Sequence, residues 1–161
     1  MKKRDILEIN VDELRFGGEG ISSQDDKTII FKNGIPGQKV KVLIKKVRKN
    51  KADAKILETI TKSDIETETT CDHYAVCGGC SLLSAPYNYQ VDLKKSQLKN
   101  MFVSAGHSEF EDLEMVASPI NLEYKNKMEF TFGNETKDAP LSLGMHMTTR
   151  SNSIVLVDTC K

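Results

Sequence analysis

At 161 residues the chain can hold one domain of ordinary size or two small ones, and 39% hydrophobic with 29% charged residues is an ordinary globular composition. No apolar run reaches the length that spans a bilayer and no targeting segment is evident, so no membrane partner is expected and the cytoplasm is the expected location. The formal net charge of +0 conceals an asymmetry: residues 1–60 carry 14 Lys+Arg against 9 Asp+Glu, whereas residues 61–161 carry 9 against 14.

The first 61 residues read as short strands separated by glycine-containing turns. Residues 5–11 and 27–31 have strand character, residues 16–20 and 33–37 are turn clusters, and residues 52–60 close the set. Between them Val40, Val42 and Ile44 alternate with Lys39, Lys41, Leu43 and Lys45, so one face of that strand is apolar and the other largely cationic. Residues 39–51 hold seven cations and no acid. Such density is usually a solvated face, and its position raises the case for nucleic-acid contact. About five short strands in some 60 residues predict a small closed barrel of the OB type over residues 1–61, a fold that binds nucleic-acid backbones along a positive face. A purely structural SH3-like barrel carries the same strand signature.

Residues 61–70 are polar, acidic and rich in Thr, and read as a linker. The chain then places Cys71, Cys77 and Cys80 within ten positions, and its remaining cysteine is Cys160. A soft metal centre needs deprotonated sulfurs converging on one point, and two cysteines two residues apart present both thiolates from a single tight turn. Gly78 and Gly79 lie inside that turn, where they can adopt positive φ, leave the backbone close to the metal and free amide N–H groups to bond sulfur.

Four chemistries compete for these thiols. Disulfides would require an oxidising compartment, for which no secretory segment speaks. A tetrathiolate zinc site is the serious competitor, although zinc ribbons usually use two close pairs. An iron–sulfur cluster often takes three near ligands and one far, and the spacing favours it. A nucleophilic cysteine would need a base, for which His73 is the local candidate, better read as solvent-facing or as an outer neighbour of the sulfurs.

Beyond the cysteines, Pro86 opens a helix over about residues 86–105, with Tyr87, Val91, Leu98, Phe102 and Ala105 near helical spacing and Gly106 as the stop. Alternating residues then predict strands over about residues 124–133, 140–147 and 153–159, an antiparallel meander whose third strand carries Cys160 at its rigid end. The predicted fold is mainly β with one long helix: a barrel over 1–61, then a small α+β domain over 62–161.

This order of parts closely resembles the N-terminal part of bacterial RNA uracil-C5 methyltransferases, the 23S ribosomal RNA and related tRNA enzymes that carry a TRAM domain in front. The resemblance rests on the basic barrel, the Cys71–Cys80 pattern, the helix, residues 124–133, residues 143–146 and residues 157–160. It implies that Cys71, Cys77, Cys80 and Cys160 ligate a 4Fe-4S cluster serving folding and RNA binding rather than electron transfer. It also implies RNA contact by Lys45, Lys46, Arg48, Lys49 and Lys51, with Lys125, Lys127 and Arg150 as further candidates.

Members of this family continue into a doubly wound domain that binds S-adenosylmethionine and supplies the catalytic cysteine and base. No glycine-rich strand-to-helix loop with a following acid occurs here and every cysteine is already assigned, so no catalytic residue is named and the chain alone is not expected to methylate RNA. In the family the helix packs partly on the catalytic domain, so its apolar stripe is expected to be more exposed than that of a core helix. The alternative is a stand-alone zinc- or cluster-stabilised RNA-binding module. A radical S-adenosylmethionine enzyme is disfavoured by the five-residue gap after Cys71 and by the barrel standing first.

Overall fold

The computed structural model describes residues 1–107, 114–134, 136–148, 153–158 and 160. In chain order its elements are β1 (Ile6–Asn10), β2 (Glu13–Arg15), β3 (Glu19–Gln24), β4 (Lys27–Lys32), β5 (Lys39–Val47), β6 (Lys51–Thr61), α1 (Tyr87–Ser104), β7 (Thr131–Gly133), β8 (Ser142–His146) and β9 (Ile154–Val155). They fall into two units, residues 1–67 with 85–118 and residues 68–84 with 119–161. This division differs from a boundary at 61/62, because α1 groups with the first six strands.

Alternation along β5 organises the first unit. Val40, Val42 and Ile44 are fully buried, because a strand with period two turns every second side chain to the same face. They join Ile9, Val11, Ile29, Phe31 and Ala52 in one aliphatic core. The sheet order is β1-β5-β6-β4-β3-β2, antiparallel except for the parallel pair β4–β6. Six strands form, because residues 13–24 make a hairpin around Gly17 and Gly18 where only a turn was expected.

The sheet is a curled half-barrel, in keeping with the OB-type barrel that the sequence predicts for this segment. Its edges β1 and β2 do not pair with each other. The reason lies in the chain path: after β1, Val11 N–H donates to the Gln38 carbonyl at 2.8 Å and Asp12 N–H to the Ile21 carbonyl at 2.8 Å. Consecutive stretches of one path thus serve opposite edges of the sheet, which curls to let them.

Residues 61–70 are not a free linker either. Ser63 is buried, its hydroxyl donating to the Pro36 carbonyl at 2.6 Å and its amide to Glu66 Oε1 at 2.8 Å. Gln38, also buried, donates to the same Glu66 oxygen at 2.8 Å and accepts from the Ile35 amide at 2.9 Å. The polar residues that looked like linker composition satisfy one another against the 35–38 turn.

The helix α1 matches its expected span. Pro86 precedes its first residue, and Gly106 at φ +88° ends it, with Gly106 N–H donating to the Val103 carbonyl at 3.0 Å and His107 N–H to that of Phe102 at 2.9 Å. This pair of bonds is a Schellman termination. None of its residues is buried, as expected for the exposed stripe, and Met101, Phe102 and Val103 succeed one another in exposed positions. Three successive residues cannot share one face of a helix. Gln97 ties α1 to β2 by donating to the Leu14 carbonyl at 2.7 Å.

In the second unit β7, β8 and β9 form the expected antiparallel meander, but the strands are shorter than the ranges 124–133, 140–147 and 153–159. Phe132 and Leu143, paired across β7–β8, are 71% and 49% exposed, so alternation lays apolar side chains on an open face. Among the described residues of this unit the buried apolar side chains are Ile154 and Val155.

Candidate functional site

The sulfur segment is built from local turns sewn to the end of β8. Tyr74 N–H donates to the Cys71 carbonyl at 3.2 Å and Cys77 N–H to that of His73 at 2.8 Å, which rounds the chain from the first thiol to the second. Cys77 then forms a β-bridge with Met147. Gly78 N–H donates to the His146 carbonyl at 2.9 Å, Thr148 N–H to that of Val76 at 2.9 Å, and the Thr148 hydroxyl to that of Cys77 at 3.0 Å. A Cβ on Gly78 would stand 2.9 Å from the His146 carbonyl oxygen, and one on Gly79 would stand 3.4 Å from Cys77 Sγ. Neither glycine has a positive φ, so the pair serves close approach and not an unusual backbone conformation. The Gly79 amide donates to Cys77 Sγ at 3.4 Å, the N–H to sulfur bond expected of such a turn.

Cys160 arrives differently from expectation. β9 ends at Val155, so the fourth thiol is not at a strand terminus but five residues beyond one, and it is exposed. The segment leading to it is held by a side-chain bond: His73 Nε2 lies 2.8 Å from Asp158 Oδ1. Burial pushes the Cys80 thiol above its usual range, Lys125 opposes this, and the negative charge that Cys160, Cys77 and Cys71 would carry adds to the rise.

The donor set fits a soft metal or a cluster in chemistry and neighbourhood: four thiols in one unit, two glycines leaving room, and an amide already on sulfur. It is not a closed shell as it stands, since among the described residues no three His, Cys, Asp or Glu side chains take up metal-holding positions.

The cationic segment forms the β5–β6 hairpin. Arg48 N–H donates to the Lys51 carbonyl at 2.7 Å, closing a short loop through Lys49 and Asn50. A register shift between Ile44 and Lys46 turns Lys45 and Lys46 outward in succession, which plain alternation forbids. Acids neutralise the base of the hairpin: Lys39 pairs with Glu8 and Lys41 with Glu58, each at 3.0 Å. At the tip Arg48 reaches Asp53 at 3.6 Å, while among the described residues no carboxylate pairs with Lys45, Lys46, Lys49 or Lys51. The parallel neighbour β4 adds Lys27, whose ammonium donates to the Lys49 carbonyl at 2.5 Å. Lys27 was not among the sequence candidates, because nothing local signals a parallel pairing.

The remaining candidates separate. Lys125 donates to the Gly79 carbonyl at 3.2 Å and so stands at the sulfur turn. Lys127 is paired with Glu129 at 2.8 Å, and both side chains are largely exposed. Arg150 lies outside the described residues. His73 and Asp158, each two residues from a cysteine, are brought together across 85 positions, a pairing that no sequence pattern announces.

The family model for the TRAM domain matches residues 2–57, which runs from the start of the chain into β6 and includes the cationic run of residues 39–51. Over 99% of its length the chain is 36% identical to an uncharacterized RNA methyltransferase of Clostridium acetobutylicum, and over 100% it is 37% identical to one of Clostridium tetani. Residues 2–57 are a TRAM domain, and the chain is similar along its length to these RNA methyltransferases. A third relative, an uncharacterized RNA methyltransferase of Staphylococcus epidermidis, is 30% identical over 99% of the chain. The chain spans 35% of the length of each of these three relatives. The curled sheet is the TRAM domain, and the sulfur segment lies outside it.

Proposed function

We propose that this chain is the RNA-binding, 4Fe-4S-carrying part of an S-adenosylmethionine-dependent RNA uracil-C5 methyltransferase, acting in the cytoplasm on 23S ribosomal RNA, with tRNA as the alternative substrate. What supports the reading is a hairpin tip inside the TRAM domain where, among the described residues, Lys45, Lys46, Lys49 and Lys51 pair with no carboxylate, in the same chain as four free thiols. Lys45, Lys46, Lys49 and Lys51, with Arg48 beside them, meet phosphates, whereas Lys39 and Lys41 are occupied by Glu8 and Glu58. Phosphate contact of this kind supplies affinity and register rather than choice of base.

Cys71, Cys77, Cys80 and Cys160 would hold the cluster. When bound to four protein thiolates it is coordinatively closed and fastens chain segments together. The residues around it do the rest: the Gly79 amide bonds the Cys77 sulfur, and Lys125 supplies a positive charge beside Cys80. Methyl transfer and S-adenosylmethionine binding are assigned to sequence of the kind that the longer relatives carry in addition. No catalytic role is assigned to the residues here.

Two measurements test the reading. Binding of a uridine-containing single-stranded RNA, followed against salt, is expected to lose about 0.7 of logarithmic slope for each phosphate-contacting cation removed among Lys45, Lys46, Lys49 and Lys51. An unchanged slope in the fourfold Gln variant rejects the hairpin as the RNA site. Iron and sulfide analysis after anaerobic purification, with the visible absorption spectrum, is expected to give cluster stoichiometry, and zinc in its place rejects the cluster.

A further inference from the structure

The route by which the fourth thiol reaches the other three is a side-chain contact. Cys71, Cys77 and Cys80 are held locally by turn bonds and by the bridge to Met147. Cys160 follows the last strand residue Val155 by five positions and stands outside any strand. Ordering backbone beyond a strand costs conformational entropy on the order of 1 kcal/mol for each residue, so a contact that pins the tail before the ligand binds shortens the search for the last thiol. One such contact is the bond between His73 Nε2 and Asp158 Oδ1 at 2.8 Å. His73 is two residues after Cys71 and Asp158 is two residues before Cys160, so one contact joins the segment of the near thiols to that of the far one. The imidazole is 21% exposed and the carboxylate 85% exposed.

We infer that His73 and Asp158 form a latch that delivers Cys160 to the sulfur site, acting as positioning residues rather than as metal ligands. The inference rests on the four-cysteine reading given above and adds the element that closes it. A neutral imidazole donates from Nε2 to the carboxylate as well as a protonated one does, so the latch needs no change of charge. Its action is local and geometric: it holds residues 156–158 against the 71–77 loop, leaving a short search for the last ligand.

The test compares the release of metal to a chelator from the anaerobically reconstituted protein and from Asp158→Ala, Asp158→Asn and His73→Ala, together with the double variant. Asp72→Ala, which removes an exposed acid beside Cys71 without touching the latch, serves as the charge control. Loss of one hydrogen bond to a charged group is expected to speed release about three- to tenfold in Asp158→Ala and His73→Ala. Asp158→Asn, which keeps an acceptor oxygen, is expected to recover most of the loss. The double variant is expected to be no worse than either single one, as for two members of one contact.

Cobalt(II) uptake supplies a readout independent of iron, since its thiolate absorption reports how many sulfurs bind. Wild type showing four thiolates and Asp158→Ala showing three supports the latch. Equal release and equal cobalt spectra in Asp158→Ala and wild type overturn it, as does an equal effect from Asp72→Ala. A wild type that binds cobalt through four thiolates yet takes up no iron overturns the cluster reading instead, and the cobalt spectra of the same variants then decide the latch.

Discussion

The two units of this chain are held together by different physics. In the TRAM sheet, Ile29, Val40, Val42, Ile44 and Ala52 are fully buried, and the acids at the hairpin base only decorate a structure that apolar burial supports. In the sulfur unit Phe132 and Leu141 are about 70% exposed, and the segments are joined by backbone bonds and by side-chain contacts such as Thr148 to Cys77, Lys125 to Gly79 and His73 to Asp158. A unit that buries so little apolar surface needs another source of order, and a metal centre that ties four cysteines together is such a source.

The largest effect that sharpens this comparison is loss of the metal site. Cys77→Ser, or chelation under reducing conditions, is expected to abolish amide exchange protection across β7, β8 and the 71–80 loop while leaving the TRAM strands protected; hydrogen exchange read residue by residue checks it. Uniform loss of protection in both units would erase the distinction drawn above.

The converse experiment strikes the first unit. Ile44→Ala removes a fully buried side chain from the core and is expected to cost about 2–5 kcal/mol in TRAM stability, measured by denaturant unfolding. Metal content of the sulfur unit should stay unchanged. A smaller effect is expected from Gly78→Ala, because the new Cβ would meet the His146 carbonyl oxygen at 2.9 Å and backbone must shift. Overpacking of this sort typically costs about 1–3 kcal/mol, and faster metal release is its readout. A silent Gly78→Ala would mean that the turn is not sewn to β8 as tightly as the structure has it.

The smallest effect concerns the decorated surface. Glu58, by its hydrogen bond and its charge, raises the Lys41 ammonium above its ordinary value of 10.5. A raised folded value means that the contribution is fully present below about 10.5, the unfolded value, and fades as pH climbs through the higher folded one. Glu58→Gln is therefore expected to leave thermal stability at neutral pH nearly unchanged, the pair being solvent-exposed, and to flatten only the alkaline edge of the stability profile. A large loss at neutral pH would show that surface ion pairs carry weight in the TRAM sheet after all.

How much of this was legible in the sequence depends on how local each feature is. The apolar face of Val40, Val42 and Ile44, the span of α1 with Pro86 before it and Gly106 after it, and the three-strand meander follow from period and turn chemistry among neighbours. The outward turn of both Lys45 and Lys46 needed a register shift, and the addition of Lys27 needed a parallel pairing; both depend on which strand lies alongside. Polar composition at 61–70 suggested a linker because composition cannot reveal that Ser63, Glu66 and Gln38 satisfy one another.

By itself the sequence determined the alternating core strand, the cationic run beside it, the helix with its stop signal, and a cysteine set whose three near members lie within ten positions, since all of these arise from residues close to each other in the chain. Only the tertiary structure decided that the sheet curls into a half-barrel, that Lys39 and Lys41 at the hairpin base meet acids, and that His73 and Asp158 meet across 85 positions. Those outcomes depend on pairings across tens of residues, where the entropy of closing the chain is set against contacts that no local pattern specifies.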